Sequence, residues 1–390
     1  MFSMMVLLAA PLVAQQACVL DAAVAQVRAR QGELLKVQVE DMSPDVPPAV
    51  RRQIARLKDA LATAVGAGMR CVPAGSDAAT IEGSLAKLLG ARQASVPSTT
   101  TDSKGGPYGG DLSVSVSTPA NVPGLRVVEV SFGIECGDDT LLLLYEVKPE
   151  GWRQRMRWQS GEYAEISGAF GDFFMAVVPG DVADGMRVVV AHGTDWCTSR
   201  FSGFKLDVLE PRADGGAPRV VWHTERSYSR ADGVVRLRST ADGFELRLNA
   251  VALDLDEGYE RGVVYRYRVA GDQITRVAPI ATNGRGFVEE WLDMPWDEAK
   301  EQTAPEAIEG LKALHERLAA SEKDAKAYVS YEYGPVRACS VKGRYEVEMD
   351  AKPGGKQFYA IQEGQNGYTM VNFGTTQDER CSGPDMMKKH

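Results

Sequence analysis

Leu125-Arg-Val-Val-Glu-Val-Ser-Phe-Gly-Ile134 and, past a short acidic turn, Leu141-Leu-Leu-Leu-Tyr-Glu-Val147 decide the fold class. Both runs are rich in Val and Leu, and their polar residues are spaced as on a pleated strand. Two later stretches align with this pair. One is Met186-Arg-Val-Val-Val190, then Phe204-Lys-Leu-Asp-Val208; the other is Phe244-Glu-Leu-Arg-Leu248, then Val263-Val-Tyr-Arg-Tyr-Arg-Val269. Cys136 and Cys197 fall at matching places in the first two copies, and the third has no cysteine there. Each copy is followed by a further strand pattern, at 154–158, 219–223 and 273–277. A period of about 60 residues with four short strands is what a propeller-like blade shows. Three copies fall short of an ordinary closed propeller, so an open stack of antiparallel sheets or a sandwich built by duplication is expected.

Around this β region the pattern turns helical. Val50, Ile54, Leu57, Leu61 and Val65 recur at spacings of three and four after Asp45-Val-Pro-Pro48, which reads as a helix start, and Gly66 and Gly68 are expected to end that helix. Leu20, Val24 and Val27 form an earlier stripe, and Ile81, Leu85, Leu88 and Leu89 a later one. Residues 94–110, rich in Ser, Thr and Gly, read as a linker without core. Thr303-Ala-Pro-Glu306 carries a capping box ahead of Ile308, Leu311, Leu314 and Leu318. In 358–373 two β runs flank a turn with Asn366-Gly367 at its centre, and 352–355 closes the hairpin before it.

The expected fold class is therefore α+β, mainly β. It has an N-terminal helical segment, a central antiparallel β region of repeated four-strand units (propeller-like or sandwich), a C-terminal helix and a small β unit. The boundaries read as 1–14 signal peptide, 15–93 helical domain, 94–110 linker, 111–285 repeated antiparallel β domain, 286–326 helical segment and 327–390 C-terminal β hairpin unit.

The 1–14 stretch is apolar and too short to span a bilayer, and Leu12-Val-Ala14 resembles a small-residue cleavage site. It lacks the usual basic residues at its start. Export predicts a periplasmic or secreted protein in which cysteines pair. All six lie after the cut, and their grouping predicts Cys18–Cys71, Cys136–Cys197 and Cys339–Cys381. None stands in a C-x-x-C arrangement, which disfavours zinc and thiol-redox chemistry. The net charge of -9 argues against nucleic acid, whose phosphates need clustered Lys and Arg. No later segment is apolar enough to span a membrane.

The catalytic signatures G-x-S-x-G, H-E-x-x-H, the Walker loop and G-x-G-x-x-G do not occur. Candidate binding residues are His192 and His223, in successive β segments near Asp195 and Glu225, with Trp196 and Trp222 as aromatic platforms. If the repeat holds, the acidic loops at 135–139, 195 and 254–260 gather on one rim. Asp254, Asp256 and Glu257 are then candidate Ca²⁺ ligands, although the stretch departs from an EF-hand at Gly258, Tyr259 and Tyr265. No other cofactor is expected.

Export, acidity and ample aromatics point to a non-catalytic binding or interaction protein of the bacterial envelope. Its β surface would meet a protein or glycan. The alternative is an extracellular hydrolase using paired carboxylates from the acidic loops, a chemistry that leaves no linear motif.

Overall fold

The computed structural model describes residues 20–37, 46–94, 108–134, 137–159, 170–180, 185–194, 201–229, 235–251, 260–323 and 330–387. Three helices come first: α1 (Asp21–Leu34), α2 (Pro48–Cys71) and α3 (Ala78–Leu89). In α2 the stripe Val50, Ile54, Leu57, Leu61 and Val65 is buried. Each such side chain contributes about 1.5–3 kcal/mol of apolar burial. Asp77 caps α3 by accepting from the Thr80 N–H at 2.7 Å, and Gly90 ends it at φ 68°.

The glycines of α2 do not end the helix, which runs on to Cys71. Gly68 instead permits close approach. A Cβ there would lie 2.8 Å from the Cδ2 atoms of both Leu85 and Leu88, so its absence lets α3 settle against α2. The end of the expected linker is also core. Tyr108 is buried, and the Gly109 N–H donates to the Gly133 carbonyl at 2.8 Å. Positions 95–107 lie outside the described residues.

The β region is a succession of four-strand meanders. The first sheet contains β1 (Arg92–Gln93), β2 (Ser113–Ser117), β3 (Leu125–Ile134), β4 (Gly137–Lys148) and β5 (Gly151–Gln159), in that order. All its pairings are antiparallel except β1 with β2. The second unit is β6 (Phe170–Val178), β7 (Arg187–Thr194), β8 (Phe201–Glu210) and β9 (Arg219–Ser229). The third is β10 (Arg236–Ser239), β11 (Gly243–Val251), β12 (Glu260–Ala270) and β13 (Gln273–Arg276). Among the described residues the register pair Asn249 with Ser229 joins the second and third units into a common eight-stranded sheet.

Strand alternation explains the stacking. On β3, Val128, Val130, Phe132 and Ile134 face the helices, while Leu125 and Val127 face the second unit. On β7, Val188 and Val190 meet that first sheet, while Val189 and Ala191 meet Phe244, Leu246 and Leu248 of the third unit. Sheets buried on both faces read as near-continuous apolar runs, which is what 141–144 and 188–190 are.

The C-terminal part has helices α4 (Gly284–Asp293), α5 (Trp296–Ala299) and α6 (Ile308–Lys323). They pack on a last meander of β14 (Ser330–Ala338), β15 (Arg344–Lys352), β16 (Gly355–Gly364) and β17 (Gly367–Gly374). Thr303 is not a cap for α6. Its buried hydroxyl accepts from Trp291 Nε1 at 3.0 Å and donates to the Ala299 carbonyl at 2.7 Å. The final hairpin turns at Gln365-Asn366 rather than at Asn366-Gly367. Gly364 pairs with Gly367, and it is Gly367 that takes φ 108°.

An ionic lock fixes these helices to the β stack. Arg226 of β9 meets Glu298 of α5 at 3.0 Å, and Arg276 of β13 meets Glu290 of α4 at 3.4 Å. The Tyr267 hydroxyl donates to Glu298 at 3.2 Å, and burial pushes that phenol up to about 12.

Cys339 and Cys381 form a disulfide, as expected from their spacing. Cys71 is also disulfide-bonded, and Cys18, Cys136 and Cys197 lie outside the described residues. Among the described residues no helix is long and apolar enough to cross a membrane.

Candidate functional site

The pleat brings His192 and His223 onto one face of the second unit and joins them through a residue that sequence reasoning passed over, Asp207. Asp207 is the direct cross-strand neighbour of His223, and His192 is opposite Lys205. His223 Nδ1 pairs with Asp207 Oδ1 at 2.5 Å, and His192 Nε2 lies 3.6 Å from Asp207 Oδ2. The second nitrogen of His223 meets Glu225 at 3.3 Å, and Lys205 lies 3.6 Å from the same carboxylate. Trp158 of the first sheet sets its ring edge-on to His192, with centroids 5.3 Å apart. Burial alone would raise the Asp207 carboxyl, but hydrogen bonds from His192 and His223 outweigh it and hold the group below its ordinary value. His192 is buried and His223 exposed, so the cluster presents one oriented imidazole to solvent.

Trp222 does not join this cluster. Successive residues on a strand point to opposite faces, so it packs beside Tyr267, with centroids 4.9 Å apart, toward the third unit. Asp195, Trp196, Asp254, Asp256 and Glu257 lie outside the described residues. Within the acidic loop at 135–139, Asp139 turns inward and forms a buried pair with Lys58 at 2.9 Å. Glu129, on the β3 face that looks toward the second unit, is pushed up to about 7 by burial. The Ser131 hydroxyl opposes that rise and the charge of Asp138 adds to it. Among the described residues no group of three or more His, Cys, Asp and Glu is arranged to hold a metal ion.

The outer face of the third unit carries the strongest charge pattern. Arg236 and Arg238 project from β10, Glu245 and Arg247 from β11, and Arg266 and Arg268 from β12. The five guanidiniums are exposed, whereas the Glu245 side chain is only 1% exposed beneath them. Glu245 Oε1 accepts from Arg247 Nε at 2.7 Å and from Arg238 at 2.9–3.1 Å, and Oε2 accepts from Arg266 Nε at 2.7 Å. Burial would raise this carboxyl, yet the three arginines hold it at about 2. Arg268 pairs with Asp242 at 3.2 Å. Arg236 stands directly across from Arg247, a like-charge juxtaposition that costs stability in a sheet.

No protein family, no curated protein and no solved structure matches this chain. The site therefore rests on its own geometry. The arginine face was legible as Arg-Leu-Arg238, Glu-Leu-Arg247 and Arg-Tyr-Arg268, three i,i+2 repeats on consecutive strands. A net charge of -9 averages over such a local basic face.

Proposed function

We propose that this is an exported, non-catalytic binding protein that engages a component of the cell envelope through its β surface. The contact surface is the arginine face of β10, β11 and β12. The observation that carries this reading is the opposition of Arg236 and Arg247 on an exposed sheet. Like charges at directly opposed register positions carry a cost that an anionic partner converts to a gain. The disulfide between Cys339 and Cys381 supports an oxidising compartment.

The test is site-specific photocrosslinking in producing cells. A photoreactive residue at exposed Val264, which lies opposite Arg247, should give a covalent adduct. The same residue at exposed Val220 of β9 should give none. Equal labelling at both positions, or none at Val264, refutes the reading.

A further inference from the structure

We infer that the partner of the arginine face is an acidic polysaccharide whose carboxylates lie across β10, β11 and β12. This rests on the binding reading above and adds the chemistry of the ligand.

The first support is preorganisation. Arg247 and Arg266 each donate to Glu245 through Nε at 2.7 Å, which anchors both guanidiniums on the buried carboxylate. An anchored guanidinium loses less freedom on binding a carboxylate, and its fork accepts one in bidentate fashion. Glu245 thus acts as a positioning residue for three arginines.

Spacing is the second. Neighbouring strands lie about 4.8 Å apart, and i,i+2 residues on one strand about 6.8 Å apart. Arg236 and Arg247 are therefore about one strand spacing apart, and Arg238 and Arg266, on either side of Glu245, about two, steps comparable with one and two sugar residues of a polyuronate.

Composition of the face is the third, and it separates a glycan from other polyanions. Among the described residues this face presents no aromatic ring, so single-stranded nucleic acid would find nothing to stack on. A protein interface has an apolar centre, and among the described residues Val264 is the one large apolar side chain exposed on this face. A flat array of guanidiniums with Thr275 at its margin, opposite Arg268, suits hydroxyls and carboxylates.

The experiment is affinity electrophoresis of the full chain in gels containing polygalacturonate, with polyglutamate, duplex DNA and neutral dextran in parallel gels. Arg236→Glu/Arg247→Glu is compared with Lys312→Glu/Arg317→Glu, which makes the same charge change on exposed residues of α6. Polygalacturonate should retard the wild type and the α6 variant, and the face variant should lose about tenfold in affinity. Arg236→Gln/Arg247→Gln, which introduces no new repulsion, should show an intermediate loss, and a cooperative unfolding transition well above the assay temperature confirms the fold of each variant. Absence of retardation by polygalacturonate, equal binding by the face variants, or tighter binding to polyglutamate or DNA overturns the inference. A Val264 adduct with a protein would leave the binding reading standing while removing the polysaccharide.

Discussion

Lys58 of α2 and Asp139 of β4 form an ion pair 2.9 Å long with side chains only 3% and 0% exposed. It clamps the helical layer onto the first sheet beside the buried Ile134 and Leu141. Removing one partner takes a counter-charge from a buried ion, so Asp139→Ala should cost about 3–5 kcal/mol in urea unfolding. Replacing both, Lys58→Met with Asp139→Leu, should recover most of that loss. A double variant no more stable than the single one would refute the clamp.

Glu129 should make the protein less stable as pH rises. Its folded value of about 7 lies above the ordinary 4.5, so the folded state binds the proton more tightly. Its contribution is fully present below pH 4.5 and is lost as pH climbs through 7. Glu129→Gln should therefore raise the Tm relative to wild type at pH 8 and change it little at pH 4. The check is a pair of thermal melts.

Glu245 gives the opposite sign. Its folded value of about 2 lies below the ordinary 4.5, so its contribution is present above pH 4.5 and disappears as pH falls through 2. At pH 7, Glu245→Gln should destabilise by about 1–3 kcal/mol, because charge-assisted bonds from three arginines go with it. The gap between wild type and variant should close on acidification in denaturant titrations.

The Cys339–Cys381 bridge spans 42 residues of sequence. Cys339→Ser/Cys381→Ser should cost about 2–4 kcal/mol, mainly by freeing the unfolded chain. The loss should concentrate in the last meander, read as faster amide exchange in β14 and β15 than in β3 and β4.

Much of the architecture was legible because it rests on periodicity. The α2 stripe and the strands around 125–147 and 263–269 carry their burial in their spacing, and packing agreed with it. Gly68 misled because a glycine inside a helix reads as a stop, while the reason for it, close approach by Leu85 and Leu88, lies on another helix. Thr303 misled for a related cause: its hydroxyl satisfies Trp291 rather than a helix end. The site was partly legible. His192 and His223 were singled out, but Asp207 became visible only through strand register, and Trp222 was grouped with a neighbour that faces the other way. The five arginines were in plain view as alternating triplets, yet only the sheet brings three strands of them to one surface.

The meander topology has a consequence for biogenesis. From β2 to β9 each strand within a unit hydrogen-bonds to its successor in sequence, so loop closures are short and hairpins can zip as they emerge. A chain crossing a narrow conduit unfolded could rebuild itself from the leading end, unit upon unit, without awaiting its tail. Stalled chains released after residue 280 should already contain a protease-resistant body, with the terminal helices and last hairpins added as a late layer.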